Sequence, residues 1–169
     1  MENKNKKINF KIRPVIEKDR EWIKKFILKN WGSEKVISWG KVYYPHKLPG
    51  FVAVSNKKYL GLITFKIERG NCEIVTLNCI KKRRGIGTAL IERVKKEALK
   101  LSCKKLKLAT TNDNLDALRF YQRRRFYITD IHPNIVSFYR KKIKPQIPLV
   151  GYYKIPIRDE IRLEMRLKD

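Results

Sequence analysis

A glycine pair inside a basic segment is the feature of this sequence with the clearest chemical potential. The segment reads Lys82-Arg83-Arg84-Gly85-Ile86-Gly87-Thr88, and an amphipathic stretch follows it. Glycines at the start of a helix let the backbone approach a phosphate closely, and the first amides of a helix carry partial positive charge. The segment therefore predicts a pyrophosphate site. The alternative is a plain turn, because glycine is also common where a strand passes into a helix.

Several other chemistries are disfavoured. A Rossmann dinucleotide site needs a third glycine where this chain has Leu90, and the sequence contains neither a G-x-S-x-G elbow nor a G-x-x-x-x-G-K-[ST] loop. The cysteines and histidines are few and widely spaced: Cys72, Cys79, Cys103, His46 and His132. With no C-x-x-C pair among them, we expect no disulfide framework and no metal site.

The charge balance indicates an anionic partner. Lys and Arg number 41 against 16 Asp and Glu, a net charge of +25 over 169 residues. Nucleic acid, a membrane surface and a polyanionic cofactor all fit that charge, and so does a solvated surface produced by compositional bias. No apolar run is long enough for a membrane span, and none of signal-peptide length follows the polar residues 1–7. These patterns predict a single-domain cytoplasmic protein without a membrane partner.

The elements that would position the glycine pair follow from hydrophobic periodicity. Predicted strands lie at 8–13, 51–54, 59–67, 72–80, 104–109, 126–130 and 161–167. Predicted helices lie at 17–29, 85–101 and 115–124. Residues 30–50 are interpreted as irregular with a short helix around 33–38, and residues 135–139 as a short strand or loop. This order is typical of an α/β chain with a mixed sheet, in which 51–80 forms an antiparallel meander.

Two motifs in this order resemble the GNAT superfamily of acetyl-CoA-dependent N-acetyltransferases. The family's phosphate segment, Q/R-x-x-G-x-G/A, reads here as residues 82–87, with Lys82 in place of Gln or Arg. Its N-x-x-A-x-x-[LF]-Y motif reads as Asn114 to Tyr121. The resemblance covers most of the chain and implies one N-acetyltransferase domain over residues 1–169. Residues 155–161 also resemble a bacterial and archaeal subgroup of the family.

The resemblance also implies a fold and a cofactor site. The fold is a central, mostly antiparallel mixed sheet flanked by helices, in which strands 72–80 and 104–109 splay apart and hold acetyl-CoA. The pyrophosphate would sit on the amides of residues 83–88, and Asn114 would hold the pantetheine arm. Hydrogen bonds to the acetyl carbonyl and the pantetheine would come from the backbone of Leu77, Asn78 and Cys79.

Two catalytic roles are implied in the same way. Tyr121 would face the thioester sulfur and protonate the thiolate or hold the sulfur by a hydrogen bond; the alternative is a core aromatic residue. Glu73 lies four residues before Leu77, so we expect both side chains on one face of their strand. Some family members use a glutamate at this offset as the general base. Asp159, Glu160 or no dedicated base are the alternatives.

One departure from the family concerns the residues after the second motif. The family has Gly-Phe there, and this chain has Arg125-Phe126. Glycine ends a helix in the left-handed conformation, which costs arginine about 1 kcal/mol. The substitution therefore bears on how the helix ends and where Tyr121 is placed.

The acceptor is predicted only as a primary amine, of a small molecule or of a protein. Asp159, Glu160 and Glu164 would attract a cationic amine if they lined the groove, whereas the net charge favours an anionic acceptor. Acetylation of aminoacyl-tRNA is one alternative. Another is a non-enzymatic, basic nucleic-acid-binding module whose aromatic residues stack bases: Trp31, Trp39, Tyr43 and Tyr44. Both a monomer and a homodimer fit the sequence.

Overall fold

The computed structural model describes residues 9–167. Its strands are β1 (Lys11–Pro14), β2 (Val36–Ser38), β3 (Lys41–Tyr43), β4 (Gly50–Ser55), β5 (Lys58–Glu68), β6 (Asn71–Cys79), β7 (Lys105–Thr111), β8 (Tyr127–His132) and β9 (Glu160–Arg166). Its α-helices are α1 (Arg20–Trp31), α2 (Ile86–Lys100), α3 (Leu115–Gln122) and α4 (Ile135–Lys142). Ile8, the first residue of the predicted strand 8–13, lies outside the described residues. No helix within 9–167 is long and apolar enough to cross a membrane.

Tight hairpins organise the first half of the chain. The two-residue turns 39–40, 56–57 and 69–70 join β2 to β3, β4 to β5 and β5 to β6, and every residue in them has a φ between 46° and 72°. This is the backbone of a type I′ turn, whose twist matches that of the flanking strands. The antiparallel meander predicted for β4, β5 and β6 is confirmed.

The main sheet opens in its middle. Its strand order is β1-β4-β5-β6-β7-β9-β8, and neighbours are antiparallel except β6 and β7. The parallel pairing joins residues 71–73 to 105–107 and stops there, although β6 continues to Cys79 and β7 to Thr111. The two strands therefore separate beyond the Glu73–Lys107 pair and leave a wedge-shaped space, here called the gap. The predicted mixed, mostly antiparallel sheet with splayed middle strands is confirmed.

A β-bulge interrupts β6 beside this gap. Thr64 of β5 pairs with Thr76, and the next residue, Phe65, pairs with Ile74, so Val75 is an extra residue in β6. Strand side chains normally alternate between the two faces of a sheet, and one inserted residue reverses the alternation after it. The bulge therefore decides which face each side chain near the gap occupies.

The reversal separates two of the predicted site residues. Glu73 lies on the same face as Tyr43 of β3, which accompanies the apolar cluster under α1. Leu77 packs against the cluster under α2, on the other face. The expectation that Glu73 and Leu77 share a face is wrong, because side chains do not alternate strictly across a stretch that contains the bulge.

Apolar layers cover both faces of the sheet. The larger cluster lies between the sheet and helices α2 and α3, and α2 contributes Ile86, Leu90, Ile91, Val94 and Ala98. The smaller cluster lies under α1 and includes Ile23, Ile27, Val36, Val52, Leu62 and Val75. The two faces are called the α2 face and the α1 face below. Since burial of each apolar side chain contributes about 1.5–3 kcal/mol, these layers hold the helices against the sheet.

Two predicted elements take a different form. Residues 36–38 are a strand paired with 41–43, not part of a short helix, because the turn at 39–40 brings two short β-branched segments together. Residues 135–142 form α4 rather than a strand or loop. Val136 and Tyr139, three positions apart, are buried together with Ile157. A helical period over so few residues is easily missed.

The long connection between β8 and β9 covers part of the α1 face. It spans residues 133–159 and contains α4, whose cluster also contacts Ile37 of β2. The Arg140 guanidinium holds this segment by donating to the carbonyl oxygens of Ile147 (2.9 Å), Pro148 (2.7 Å) and Ile157 (2.5 Å). The connection is thus folded onto the hairpin β2–β3.

Candidate active site

The N-terminus of α2 lies at the open end of the gap. Gly85 precedes the helix with a φ of 77°, and a Cβ added there would meet no atom within 4 Å. Its role is therefore conformational, since residues other than glycine rarely adopt this φ. Lys82, Arg83 and Arg84 precede it as exposed residues. Three exposed cationic residues thus directly precede the first amides of α2, which lack partners within the helix, as an anion site requires.

Gly87, the second glycine, allows close packing. A Cβ at this position would lie 3.0 Å from the Phe120 ring and 3.4 Å from the Cys79 sulfur. Any larger residue would push α3 or the end of β6 away from α2. Ile86 is buried beneath Gly61, so only its backbone faces the anion site. The two glycines therefore have different roles: Gly85 allows the turn before α2, and Gly87 allows α2 to pack closely against α3 and β6.

Arg124 links α3 to the first turn of α2. Its Nε and Nη2 atoms donate to Thr88 Oγ1 at 2.9 and 2.6 Å, and its guanidinium lies 3.6 Å from the centroid of the Phe120 ring. Burial lowers the pKa of this group from its usual value. The sequence showed a run of three arginines here, but nothing in the pattern distinguished Arg124, because Thr88 is 36 residues away.

Tyr121 is buried on the α2 face. It is 9% exposed, and its ring packs edge-on against Phe120 and Phe126. Burial raises the pKa of its phenol, and the nearby Cys79 thiol adds to the effect. Burial also raises the pKa of Cys79 to about 11, so that this thiol is protonated at neutral pH and is a poor nucleophile. The raised pKa likewise keeps the Tyr121 phenol protonated at neutral pH, so that its hydroxyl can donate a hydrogen bond.

Asn114 caps α3. Its Oδ1 accepts a hydrogen bond from the Ala117 amide at 3.2 Å, which satisfies one of the first amides of the helix. The other end of the helix closes through Arg125, which adopts a φ of 68°. Phe126 then donates its amide to the Tyr121 carbonyl at 3.2 Å. Arginine therefore takes the left-handed position of the family's glycine, and Tyr121 is held on the last full turn.

Glu73 occupies the closed end of the gap, on the α1 face. It is 3% exposed, and its Oε2 accepts from Tyr43 Oη at 3.1 Å and lies 3.4 Å from Lys107 Nζ. Burial and the adjacent carboxylate raise the pKa of Tyr43. Within residues 9–167, the buried Oε1 atom of Glu73 has no hydrogen-bond partner. A buried oxygen of this kind is normally satisfied by water or by a ligand.

Trp39 packs against Lys107, the cation that pairs with Glu73, and no sequence motif marks it as part of the site. Its ring lies between two cations, with Lys107 Nζ 4.3 Å and the Arg162 guanidinium 4.6 Å from the ring. Its φ of 51° belongs to the type I′ turn between β2 and β3. The turn thus fixes an aromatic ring against β7 and β9, below the gap. The Trp39-Gly40 pair could have suggested a turn from the sequence. The contacts of Trp39 with Lys107 and Arg162 could not, because these residues are far away along the chain.

The other candidate carboxylates are paired with neighbouring cations. Asp159 accepts from Arg158 at 2.9 Å and from the Asn134 amide at 2.8 Å. Glu160 accepts from Arg162 at 2.8 Å, and Glu164 accepts from Lys105 at 2.7 Å. These pairings favour the interpretation that the acidic residues offset adjacent basic ones. In the described part of the chain, no group of three His, Cys, Asp or Glu residues is arranged to hold a metal ion.

Asn78 marks the α1 side of the gap. It is half-buried near the end of β6, and its Oδ1 accepts from Trp31 Nε1 at 3.3 Å. Cys79, the next residue, faces α2. The segment Leu77 to Cys79 is paired with β5 along one edge, and its other edge borders the gap. The structure therefore places Leu77 to Cys79 and the start of α2 toward the open end of the gap, and Glu73 at its closed end.

The family of this chain follows from comparison with known proteins. A family model described as "Acetyltransferase (GNAT) family" matches residues 17–126, which include the basic glycine segment and α3. The chain belongs to this family. It is also 37% identical over 158 residues to the uncharacterized protein YxbD of Bacillus subtilis strain 168, covering 93% of this chain and 99% of that protein.

Solved structures agree in fold. The IAA acetyltransferase from Bacillus cereus ATCC 14579 superimposes with a TM-score of 0.69 at 18% identity, covering 94% of this chain and 99% of that one. A GNAT family acetyltransferase from Elizabethkingia anophelis with acetyl-CoA bound gives 0.66 at 22% identity, covering 95% and 99%. At these identities the likeness concerns the fold, which extends over nearly the whole of both chains.

Proposed function

We propose that the chain, as one domain, transfers the acetyl group of acetyl-CoA to a primary amine. The observation that carries this proposal is the N-terminus of α2, which places a glycine with positive φ and three cationic residues at the open end of a split sheet. A polyanionic thioester has its phosphates at one end and its reactive carbonyl at the other, so a charged mouth and a buried interior suit it. The acetyl-CoA bound to a structural relative supports this choice.

The proposed cofactor contacts follow from the positions described above. Amides 83–88 and the side chains of Lys82, Arg83 and Arg84 bind the pyrophosphate. The backbone of Leu77, Asn78 and Cys79 bonds the pantetheine and the acetyl carbonyl. Backbone donors aimed at the carbonyl oxygen would stabilise negative charge as the amine attacks. Asn114 contributes its carboxamide nitrogen to the pantetheine arm, since only its oxygen is used in capping α3.

Tyr121 is the proposed general acid. When the tetrahedral intermediate collapses, the carbon–sulfur bond breaks and the thiolate of CoA needs a proton. A buried phenol whose pKa is raised stays protonated at neutral pH, so its hydroxyl is available to hydrogen-bond the sulfur and to transfer its proton as negative charge develops there. The same residue also helps to close the apolar pocket around the thioester through its contacts with Phe120 and Phe126.

Glu73 is the proposed general base, acting through water. The attacking amine must lose a proton, and the buried Oε1 of Glu73 is the available acceptor at the closed end of the gap. Glu73 also pairs with a cation, Lys107, but only through Oε2. Asp159 and Glu160 are less suited, because within residues 9–167 neither has a buried oxygen left without a hydrogen-bond partner. The position of Glu73 on the α1 face places the base opposite Tyr121, so that the two proton transfers occur on opposite sides of the sheet.

Binding of acetyl-CoA tests the proposal directly. A ligand at one hundred times its Kd stabilises the folded state by about 2.7 kcal/mol, which raises the Tm of a chain of this size by roughly 5–10 °C. We expect that shift with acetyl-CoA, together with release of CoA thiol when a panel of primary amines is added. A chain that shows neither would contradict the proposed function.

Charge-reversal variants locate the binding site. The double variant Lys82→Glu/Arg83→Glu should raise the Kd for acetyl-CoA about tenfold or more, because each variant replaces attraction by repulsion at the phosphates. The matched control is Lys57→Glu/Lys58→Glu, which makes the same change of charge in the exposed β4–β5 hairpin. Equal weakening in both variants would mean that general charge, not the N-terminus of α2, binds the cofactor.

A further inference from the structure

Lys144 is a buried lysine that the proposed mechanism does not use. It follows α4, and only 4% of the residue is exposed. Within residues 9–167, no carboxylate lies within ion-pair distance of its ammonium. Lysine is almost never fully buried without a partner, because the charged group loses its hydration. Burial, with the neighbouring Lys35, lowers the pKa of Lys144 to about 8.

The ammonium is close to the α1 side of the gap. Lys144 Nζ lies 5.9 Å from the centroid of the Trp31 ring, and Trp31 Nε1 donates to Asn78 Oδ1 at 3.3 Å. Asn78 belongs to the part of β6 that has separated from β7. The three side chains therefore connect the segment after α4 to the border of the gap, on the face opposite Tyr121.

The surroundings of Lys144 compensate its charge only in part. Its backbone amide donates to the Tyr139 carbonyl at 2.8 Å, which fixes the residue at the end of α4. The Trp31 ring is near the outer limit for an attraction between a cation and an aromatic face, and Lys35 repels the ammonium. The C-terminal end of α1 adds a partial negative charge. Because the buried ammonium is not fully compensated, a bound anion would offset part of the cost of its lost hydration.

We propose that Lys144 binds the anionic group of the acceptor, and that the enzyme's substrates are amines that also carry a carboxylate. This inference rests on the proposed function, since it assigns the α1 side of the gap to the acceptor. Lys144 supplies one buried ammonium, and the neighbouring Lys35 is only half-buried. One desolvated cation matches the single negative charge of a carboxylate better than the two charges of a phosphate dianion. The net charge of +25 acts in the same direction, because it attracts anionic acceptors.

Matched acceptor pairs test the inference. Amino acids and ω-amino acids are compared with their carboxamides, and aminoalkyl phosphonates form a third set. For the wild type we expect a KM about 10- to 100-fold lower for the carboxylates than for the carboxamides. Lys144→Met should remove this preference by raising the KM of the carboxylates, with kcat and the KM of the carboxamides within about threefold of wild type. Lys58→Met, on the exposed hairpin, should retain the preference.

A thermal-shift measurement makes the test independent of any one acceptor. With CoA present, simple carboxylates such as propionate should raise the Tm of the wild type but not that of Lys144→Met. The variant itself should fold with an unchanged or higher Tm, because methionine replaces a largely buried ammonium that has no carboxylate partner within residues 9–167. If Lys144→Met does not fold, Lys144→Gln takes its place, and the wild-type acceptor preference is measured in either case.

The outcomes separate the two proposals. If amines are acetylated with equal KM for carboxylates and carboxamides, the inference about Lys144 is overturned and the proposed function stands. A preference for phosphonates over carboxylates also overturns it. The inference is likewise overturned if the wild type shows neither a carboxylate preference nor a thermal shift that depends on Lys144. Failure to bind acetyl-CoA at all overturns the proposed function.

Discussion

Tyr121 and Glu73 lie on opposite faces of the sheet, on either side of the gap between β6 and β7. Both are buried, but the extra residue Val75 places Glu73 on the α1 face while Tyr121 packs on the α2 face. In the proposed mechanism, the proton donor Tyr121 therefore lies on the α2 face and the proton acceptor Glu73 on the α1 face. If both proposed roles hold, each group acts on a different reactant, Tyr121 on the leaving thiolate and Glu73 on the attacking amine.

Replacement of Tyr121 by phenylalanine tests the donor role. Tyr121→Phe removes one oxygen from a buried ring and keeps the packing against Phe120 and Phe126. We expect kcat for amine acetylation to fall by about 100-fold or more, with the Kd for acetyl-CoA changed little, because the lost proton donor acts only as the thiolate leaves. The measurement is steady-state release of CoA thiol across a range of pH, with acetyl-CoA binding followed separately.

Tyr127→Phe provides the control for that experiment. Tyr127 is 42% exposed at the start of β8, away from the gap, so the loss of its hydroxyl should leave kcat unaltered. Wild-type rates for Tyr121→Phe at every pH would show that the phenol is only part of the core.

At the scale of elements, the end of α3 carries a strain that the sequence revealed. Arg125 adopts a φ of 68° while its exposed side chain lies outside the core. The helix closes there as it would with glycine, which keeps Tyr121 in place. The conformation itself costs a residue with a Cβ about 1 kcal/mol. Arginine at this position is therefore tolerated at the expense of stability.

The Arg125→Gly variant should be more stable than the wild type. Relief of the left-handed conformation is expected to contribute about 1 kcal/mol, which raises the Tm by roughly 2–4 °C. Arg123→Gly is the matched control, since Arg123 has an ordinary helical φ of −62° at the C-cap of α3, where glycine relieves no strain and should leave the stability unchanged or lower it. Thermal unfolding of both variants checks the pair, and equal losses of stability would refute the interpretation of strain.

The elements differ in how far local patterns predict them. The strands of the meander and helix α2 each have a long periodic pattern, so their existence follows from the sequence. The hairpin β2–β3 and helix α4 are too short for that, and their form depends on pairing and packing with distant residues. The bulge at Val75 leaves no local signal, because it exists only in the pairing of β5 with β6.

The same distinction applies to the candidate site. The glycine segment, Asn114 and Tyr121 belong to two short motifs, and the residue types in these motifs are enough to predict the roles proposed for them. Arg124, Trp39 and Lys144 act through partners that are far away in the sequence, so only the folded chain brings them to notice. The roles of these residues come from contacts, which a single sequence does not contain.

At the scale of the whole molecule, the net charge of +25 creates a positive field around the chain. Such a field raises the encounter rate with anionic ligands, and salt weakens it by screening. Screening is strongest for exposed charges, and Lys82, Arg83 and Arg84 are exposed. The affinity for a polyanionic cofactor should therefore depend on ionic strength more than the chemical step does.

We expect the KM for acetyl-CoA to rise several-fold when NaCl is increased from about 0.05 to 0.5 M, as the screening length shortens from roughly 14 to 4 Å. The value of kcat should change by less than about twofold, because the reacting groups are buried. Initial rates at a series of salt concentrations measure both. A KM that does not respond to salt would indicate that the excess positive charge has no part in cofactor binding.

The brief pairing between β6 and β7 has a consequence for how the chain assembles. It divides the sheet into two half-sheets, and each is a nearly contiguous stretch of sequence, 11–79 and 105–166. Within the sheet, the halves are joined by the short pairing of residues 71–73 with 105–107, so their cohesion depends on side-chain packing across the sheet as well as on hydrogen bonds between strands. Helix α2 lies between the halves in the sequence and packs against both, so its apolar side chains hold the two half-sheets together.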